Sequence, residues 1–144
     1  MAQDRDGAGA GIVIAGGGIA GLSLALALKQ ALREGLPVTL ADPALAFAPR
    51  EDNRAYAVAA AAQRMLQALG VWDAIAATAQ PMTEMLVTDS RTSDVVRPVF
   101  LTFDGEVEPG QPFAHMVENA GLLRALLAAC REAGVTLQIG RAHV

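Results

Sequence analysis

A chain of 144 residues is long enough for one domain with a real core and short for a complete enzyme with two substrates, so it reads as a piece of a longer protein. Hydrophobic residues make up 53% of it, much of that alanine, and aromatics only 4%; the core is expected to be rich in helix and built from small side chains. A formal charge of -4 with no run of Lys or Arg argues against a surface that tracks nucleic-acid phosphates and leaves a small or membrane-dissolved substrate.

Residues 1–10 form a polar, Gly-bearing leader, expected to be flexible. The start lacks the basic-then-apolar layout of a signal peptide, and no apolar run is long enough to span a bilayer, so a cytoplasmic protein is expected. Residues 11–15 are a short apolar run that reads as a fully buried parallel strand. A glycine turn follows at once. Residues 19–34 form a helix with Leu22, Ala25 and Leu26 on one face, ended by Gly35 and Pro37. A second strand over 38–41 closes at Asp42, and Pro43 blocks its continuation. Residues 43–53 read as a loop on the ligand-facing edge of the sheet. A helix is predicted over 57–69, stopping at Gly70, and a short one over 71–79, stopping at Pro81.

The pattern then changes. Residues 82–89 and 95–103 alternate or run apolar around a polar turn, as an antiparallel hairpin does, and the span 82–117 is assigned in part to a second, substrate-binding sheet. Residues 104–111 read as a loop and 113–117 as a strand. An amphipathic helix is predicted over 120–133, with Asn119 as N-cap and Gly134 as stop. Cys130 lies in that helix with Leu122, Leu126 and Leu127 and reads as core filler, since a lone cysteine has no internal disulfide partner. Val135 and Leu137 return to the parallel sheet as its third strand. The nucleotide-binding portion therefore runs over 11–137. Residues 138–144 are those that a widely used short-read sequencing adapter encodes, and they read as an adapter-derived tail; the alternative is a natural terminal strand over 135–139.

Gly16-Gly17-Gly18-Ile19-Ala20-Gly21 satisfies G-x-G-x-x-G, a weak signal in a chain rich in glycine and alanine. Its context strengthens it, because it follows a strand, opens a helix and precedes a strand that ends in an acid about twenty residues on. Gly16 permits the tight turn, Gly18 lacks the Cβ that would keep a pyrophosphate off the backbone, and Gly21 lets the helix approach the sheet. The helix N-terminus offers N–H groups and partial positive charge to phosphate. Asp42 accepts hydrogen bonds from ribose hydroxyls and opposes a 2′-phosphate, which favours FAD or NAD over NADP. The fingerprint alone does not separate FAD from NAD.

Later residues do. Arg54-Ala55-Tyr56-Ala57-Val58 resembles the Arg-x-x-Ala-Leu-type segment of class A FAD-dependent monooxygenases, the para-hydroxybenzoate hydroxylase fold. More narrowly, the chain resembles the amino-terminal part of the ubiquinone-biosynthesis hydroxylase family in its glycine segment, Asp42-Pro43, the Arg54 segment, Thr88-Asp89-Ser90 and Val117-Glu118-Asn119, which occur in family order over nearly the whole chain. The resemblance implies an α/β fold, a Rossmann-like FAD-binding βαβ unit carrying part of an inserted antiparallel substrate sheet, truncated in this chain. It implies FAD as cofactor, NADPH or NADH as co-substrate, and hydroxylation of a polyprenylated phenol with dioxygen. It also implies peripheral association with the inner membrane face and membership of a ubiquinone-biosynthesis complex.

By the same resemblance Arg54 lies beside FAD, where a fixed cation suits the pyrophosphate; a surface arginine opening a helix is the alternative. Asn119 would bring polar atoms near the cofactor, and N-capping explains it as well. Ala120-Gly121 departs from the family, where larger polar residues are usual, and weakens a cofactor contact from that turn. His115 lacks a carboxylate or second histidine at ligand spacing and reads as a structural hydrogen-bonder. The family's Asp-Gly pair and later Gly-Asp segment fall outside this chain, so the fragment alone is expected to lack catalysis. The competing readings are the nucleotide-binding domain of an NAD-dependent dehydrogenase and a non-catalytic nucleotide-binding module.

Overall fold

The computed structural model describes residues 11–32, 35–46, 53–88, 91, 93–96, 98–104 and 106–138. The expected leader over 1–10, residues 139–144 of the expected tail, residues 33 and 34 at the end of the first predicted helix, residues 47–52 of the expected loop, and Asp89 with Ser90 lie outside the described residues. In chain order come β1 (Ile12–Ala15), α1 (Ile19–Leu32), β2 (Val38–Ala41) and a 3-10 turn (Pro43–Ala46). Then come β3 (Ala55–Ala59), α2 (Ala60–Ala68), and two 3-10 turns (Trp72–Ala74 and Ala76–Thr78). The strands β4 (Gln80–Met82), β5 (Glu84–Thr88), β6 (Val99–Asp104), β7 (Glu106–Glu108), β8 (Gln111–Pro112) and β9 (Ala114–Glu118) follow, and α3 (Asn119–Glu132) leads into β10 (Thr136–Gln138). The chain divides into two compact units, one drawn from residues 11–46 and 120–138 and the other from residues 53–119.

The first unit is a parallel sheet in the order β1-β2-β10. Parallel neighbours need a crossover, and α1 supplies it between β1 and β2. Ile12 pairs with Val38, and Ile14 and Leu137 flank Leu40, so these side chains share one face. Leu22, Ala25 and Leu26 of α1 and Leu122, Leu126 and Cys130 of α3 are buried with Val38 and Leu40. Burying each large aliphatic side chain stabilises by about 1.5–3 kcal/mol. The Cys130 thiol donates to the Leu22 carbonyl at 3.3 Å, which ties α3 to α1. Cys130 is therefore core filler, as expected. The fully buried β1 is not observed: Ile12 and Ile14 are half-buried, but Val13 is 69% exposed. Among the described residues β1 is the outer strand of its sheet, and only its Ile12 and Ile14 side packs with the helices.

The second unit is antiparallel. β9 lies between β3 and β4, with Val58 and Pro81 both opposite His115. Pro81 is tolerated because β4 is an outer strand, where a missing N–H costs no ladder bond on the solvent side. Val58, Leu66, Leu69, Val71, Trp72, Ile75, Ala114 and Val117 form this unit's core. The expected hairpin is present as β5 paired with β6, Met85 opposite Phe103 and Val87 opposite Leu101, with a bulge after Val87.

Three expectations in this unit are corrected. Residues 57–59, read as the start of a helix, belong to β3, and α2 begins only at Ala60. Pairing along β9 from Ala55 to Ala59 overrides the helix preference of alanine, which is a weak prior. The short helix read over 71–79 is two separate 3-10 turns, and the loop read over 104–111 contains the small β7-β8 hairpin, whose Gly110 N–H donates to Glu106 Oε2 at 2.6 Å. Asn119, read as a cap, is the first residue of α3. Two of the predicted glycine stops carry a capping bond: Gly70 N–H donates to Gln67 O at 2.9 Å after α2, and Gly134 N–H to Arg131 O at 3.1 Å after α3.

Candidate functional site

In the first unit the chain leaves β1 at Ala15 and must reverse into α1 within three glycines. Gly16 takes a φ of +110°, a conformation that L side chains rarely adopt, and its N–H donates to Ala41 O at 2.9 Å. Gly18 O then accepts the Leu22 N–H at 2.9 Å, so helical bonding starts immediately. A Cβ on Gly21 would overlap the Gly16 carbonyl oxygen and touch Leu40 Cδ1, which leaves glycine as the only residue that lets α1 cross so close to β1. Gly18 differs: a Cβ there would have no atom within 4 Å. The turn therefore presents bare backbone to open space beside a helix N-terminus, an arrangement that accepts a pyrophosphate.

Asp42 follows β2 and reaches back to this turn. Its Oδ2 accepts the Gly17 N–H at 2.6 Å, and its Oδ1 accepts the Ala44 N–H at 2.7 Å. These two donors, Gly17 before Ala44, hold its carboxyl below the ordinary carboxylate range against a smaller opposing effect of burial. An ionised carboxylate has about four lone-pair positions, so two remain for hydroxyl donors such as those of a ribose. The structure thus brings Gly16, Gly18, Gly21 and Asp42 into one constellation, as the fingerprint requires.

Gly17 and Leu45 were not singled out by the sequence. A Cβ on Gly17 would lie 3.0 Å from Leu45 Cδ2 and 3.2 Å from Asp42 Cβ, so the unspecified second position of the motif is hemmed in here. The signal was available in Asp42-Pro43-Ala44, since an Asp whose side chain bonds the backbone two residues on starts a turn that folds the following residues back.

Arg54 and Asn119 belong to the second unit. Arg54 is exposed just before β3, and its carbonyl accepts the Asn119 N–H at 2.9 Å at the point where β9 passes into α3. Asn119 is buried. His115 is half-buried, with its ring edge-on to Trp72 at a centroid separation of 5.1 Å, and among the described residues its Nδ1 is buried without a hydrogen-bond partner. The contact with Trp72 makes it a packing residue of this unit.

Comparison with known proteins follows the same lines. The model of the FAD binding domain family matches residues 10–143. A ubiquinone hydroxylase of Rhodospirillum rubrum is 34% identical over 118 residues, covering 82% of this chain and 26% of that protein. The 3-demethoxyubiquinol 3-hydroxylase of Escherichia coli is 37% identical over 120 residues, covering 80% of this chain and 28% of its own. The tetrameric form of 2-methyl-3-hydroxypyridine-5-carboxylic acid oxygenase superimposes with a TM-score of 0.61 at 25% identity, covering 92% of this chain and 32% of that one. The chain spans about a quarter of the length of the curated relatives it matches.

Proposed function

The chain belongs to the FAD binding domain family, and from that membership and its two ubiquinone-hydroxylase relatives we infer that it is the FAD-binding part of an aromatic-ring hydroxylase of ubiquinone biosynthesis. The observation that carries the reading is the bare turn at Gly18 set beside an ionised Asp42. Together they offer backbone N–H groups to a pyrophosphate and an acceptor to the adenosine ribose. FAD, when bound, supplies the redox chemistry; the protein supplies position and electrostatics.

On this reading Gly16, Gly18 and Gly21 shape the phosphate turn, Asp42 takes the ribose hydroxyls, and Arg54 places a cation toward the pyrophosphate. By the family resemblance, Asn119 would add polar atoms near the cofactor. Residues 82–117 contribute part of the sheet that carries the substrate. The names of the two relatives speak of ubiquinone hydroxylation and demethoxyubiquinol 3-hydroxylation. Carried to the whole protein, they support a polyprenylated phenol as substrate, with dioxygen and NADH or NADPH as co-substrates. Among the described residues no helix is long and apolar enough to cross a membrane. Peripheral attachment at the cytoplasmic membrane face, within a ubiquinone-biosynthesis complex, is the arrangement we propose for meeting so apolar a substrate.

The test is the visible spectrum of the purified chain after incubation with FAD and removal of free ligand. Retained absorption at about 450 nm is the expected result, since protein and NAD are transparent there. A folded chain that takes up NAD and no FAD would overturn the reading.

A further inference from the structure

We propose that Asp42 is a positioning residue for the phosphate turn, gripping the Gly17 backbone with one carboxylate oxygen and the Ala44 backbone with the other, apart from any contact it makes with a ribose. This rests on the reading of the Gly16–Gly18 turn as the pyrophosphate site.

Three glycines in a row give the most freely moving backbone a chain can have, and a turn built from them has a large ordering cost. The structure offsets that cost with consecutive bonds. Gly16 N–H donates to Ala41 O at 2.9 Å, and Gly17 N–H donates to Asp42 Oδ2 at 2.6 Å, so two successive amides of the turn are fastened to two successive residues at the end of β2. The second bond is charge-assisted and accordingly strong. Asp42 is fixed in turn, because its carbonyl accepts the Leu45 N–H at 3.2 Å and its Oδ1 accepts the Ala44 N–H at 2.7 Å. Leu45, carried on that 3-10 turn, packs with Asp42 against the position a Cβ on Gly17 would take. A ribose contact requires none of these bonds. They preorganise the turn before a ligand arrives, which saves ordering entropy on binding.

The experiment compares the chain with its Asp42→Asn variant, an isostere that can present only one acceptor oxygen to the two N–H donors. The probes are ADP and 2′,3′-dideoxy-ADP, which lacks the hydroxyls a ribose-binding carboxylate would meet. We expect Asp42→Asn to weaken both, the dideoxy compound by about fivefold or more. Amide exchange in the ligand-free chain provides a second measurement. Gly17 should exchange about tenfold faster in the variant, a larger factor than at Leu26 and Leu40, whose exchange follows global stability. The Gly17 amide shift should titrate with Asp42 below the ordinary carboxylate range in the wild type and lose that inflection in the variant. Unchanged affinity for the dideoxy compound, unchanged Gly17 exchange, or a rise at Gly17 no larger than the rise at Leu26 and Leu40 would each overturn the proposal. If the wild type binds neither nucleotide, the FAD-site reading fails, and Gly17 exchange still decides the role of Asp42.

Discussion

The Gly16 carbonyl oxygen occupies the space that a Cβ on Gly21 would need. Both partners are backbone, and neither can swing aside as a side chain would. Gly21→Ala must therefore push α1 off the sheet or deform the turn, at a cost of about 3 kcal/mol or more. We expect a large fall in the midpoint of thermal unfolding. A variant that melts with the wild type would show that the close approach of α1 to β1 is not needed.

Gly18 has the opposite surroundings and predicts the opposite phenotype. With no atom within 4 Å of a built Cβ, Gly18→Ala should fold with a stability change within about 0.5–1 kcal/mol of the wild type. The added methyl stands where a pyrophosphate would approach the backbone, so FAD affinity should fall by about tenfold or more. Calorimetric titration with FAD beside a melting curve separates the two effects. Loss of stability without loss of affinity would remove Gly18 from the site.

The first unit was legible in the sequence because each of its signals is local: an apolar run, three glycines, a helical stripe and an acid before proline. Residues 55–59 were not, because Ala55, Ala57 and Ala59 carry helix preference and their strand state comes from β9, more than fifty positions away. The two 3-10 turns likewise follow from packing Trp72 and Ile75 into a core that composition does not reveal. Within the candidate site, residue types were readable and bonding was not. Asp42 was placed by its distance from the glycines, but nothing in that spacing says that its oxygens hold Gly17 and Ala44.

Those two bonds make the stability of the chain depend on pH. Gly17 and then Ala44 favour the ionised carboxyl in the folded chain, and unfolding removes both, returning Asp42 to its ordinary value of 3.8. The folded state therefore binds this proton less readily than the unfolded state. Its contribution is full above about pH 4, declines as pH falls through the lower folded value, and is gone once both states are protonated. Asp42→Asn lacks the charge at every pH. The gap in melting temperature between wild type and variant should be widest near neutrality and close in acid. A gap that stays constant from about pH 7 to about pH 2 would assign the effect to shape and not to charge.

Cys130 gives a probe of how tightly the first unit is closed. Its side chain is fully buried between α3 and α1, its thiol donates to Leu22 O, and burial pushes that thiol above its ordinary titration range. A thiolate is the reactive form, so the native chain should resist a disulfide-exchange reagent at pH 8 and react at once in denaturant. Labelling should proceed only as fast as α1 and α3 separate, and its rate should climb steeply with temperature, as unfolding rates do. Cys130→Ala removes one buried atom and its weak hydrogen bond, and should cost about 1–2 kcal/mol with no change in FAD affinity. Rapid labelling of the folded chain would place α3 away from α1 in solution and would remove the packing on which β10 and its pairing with β2 depend.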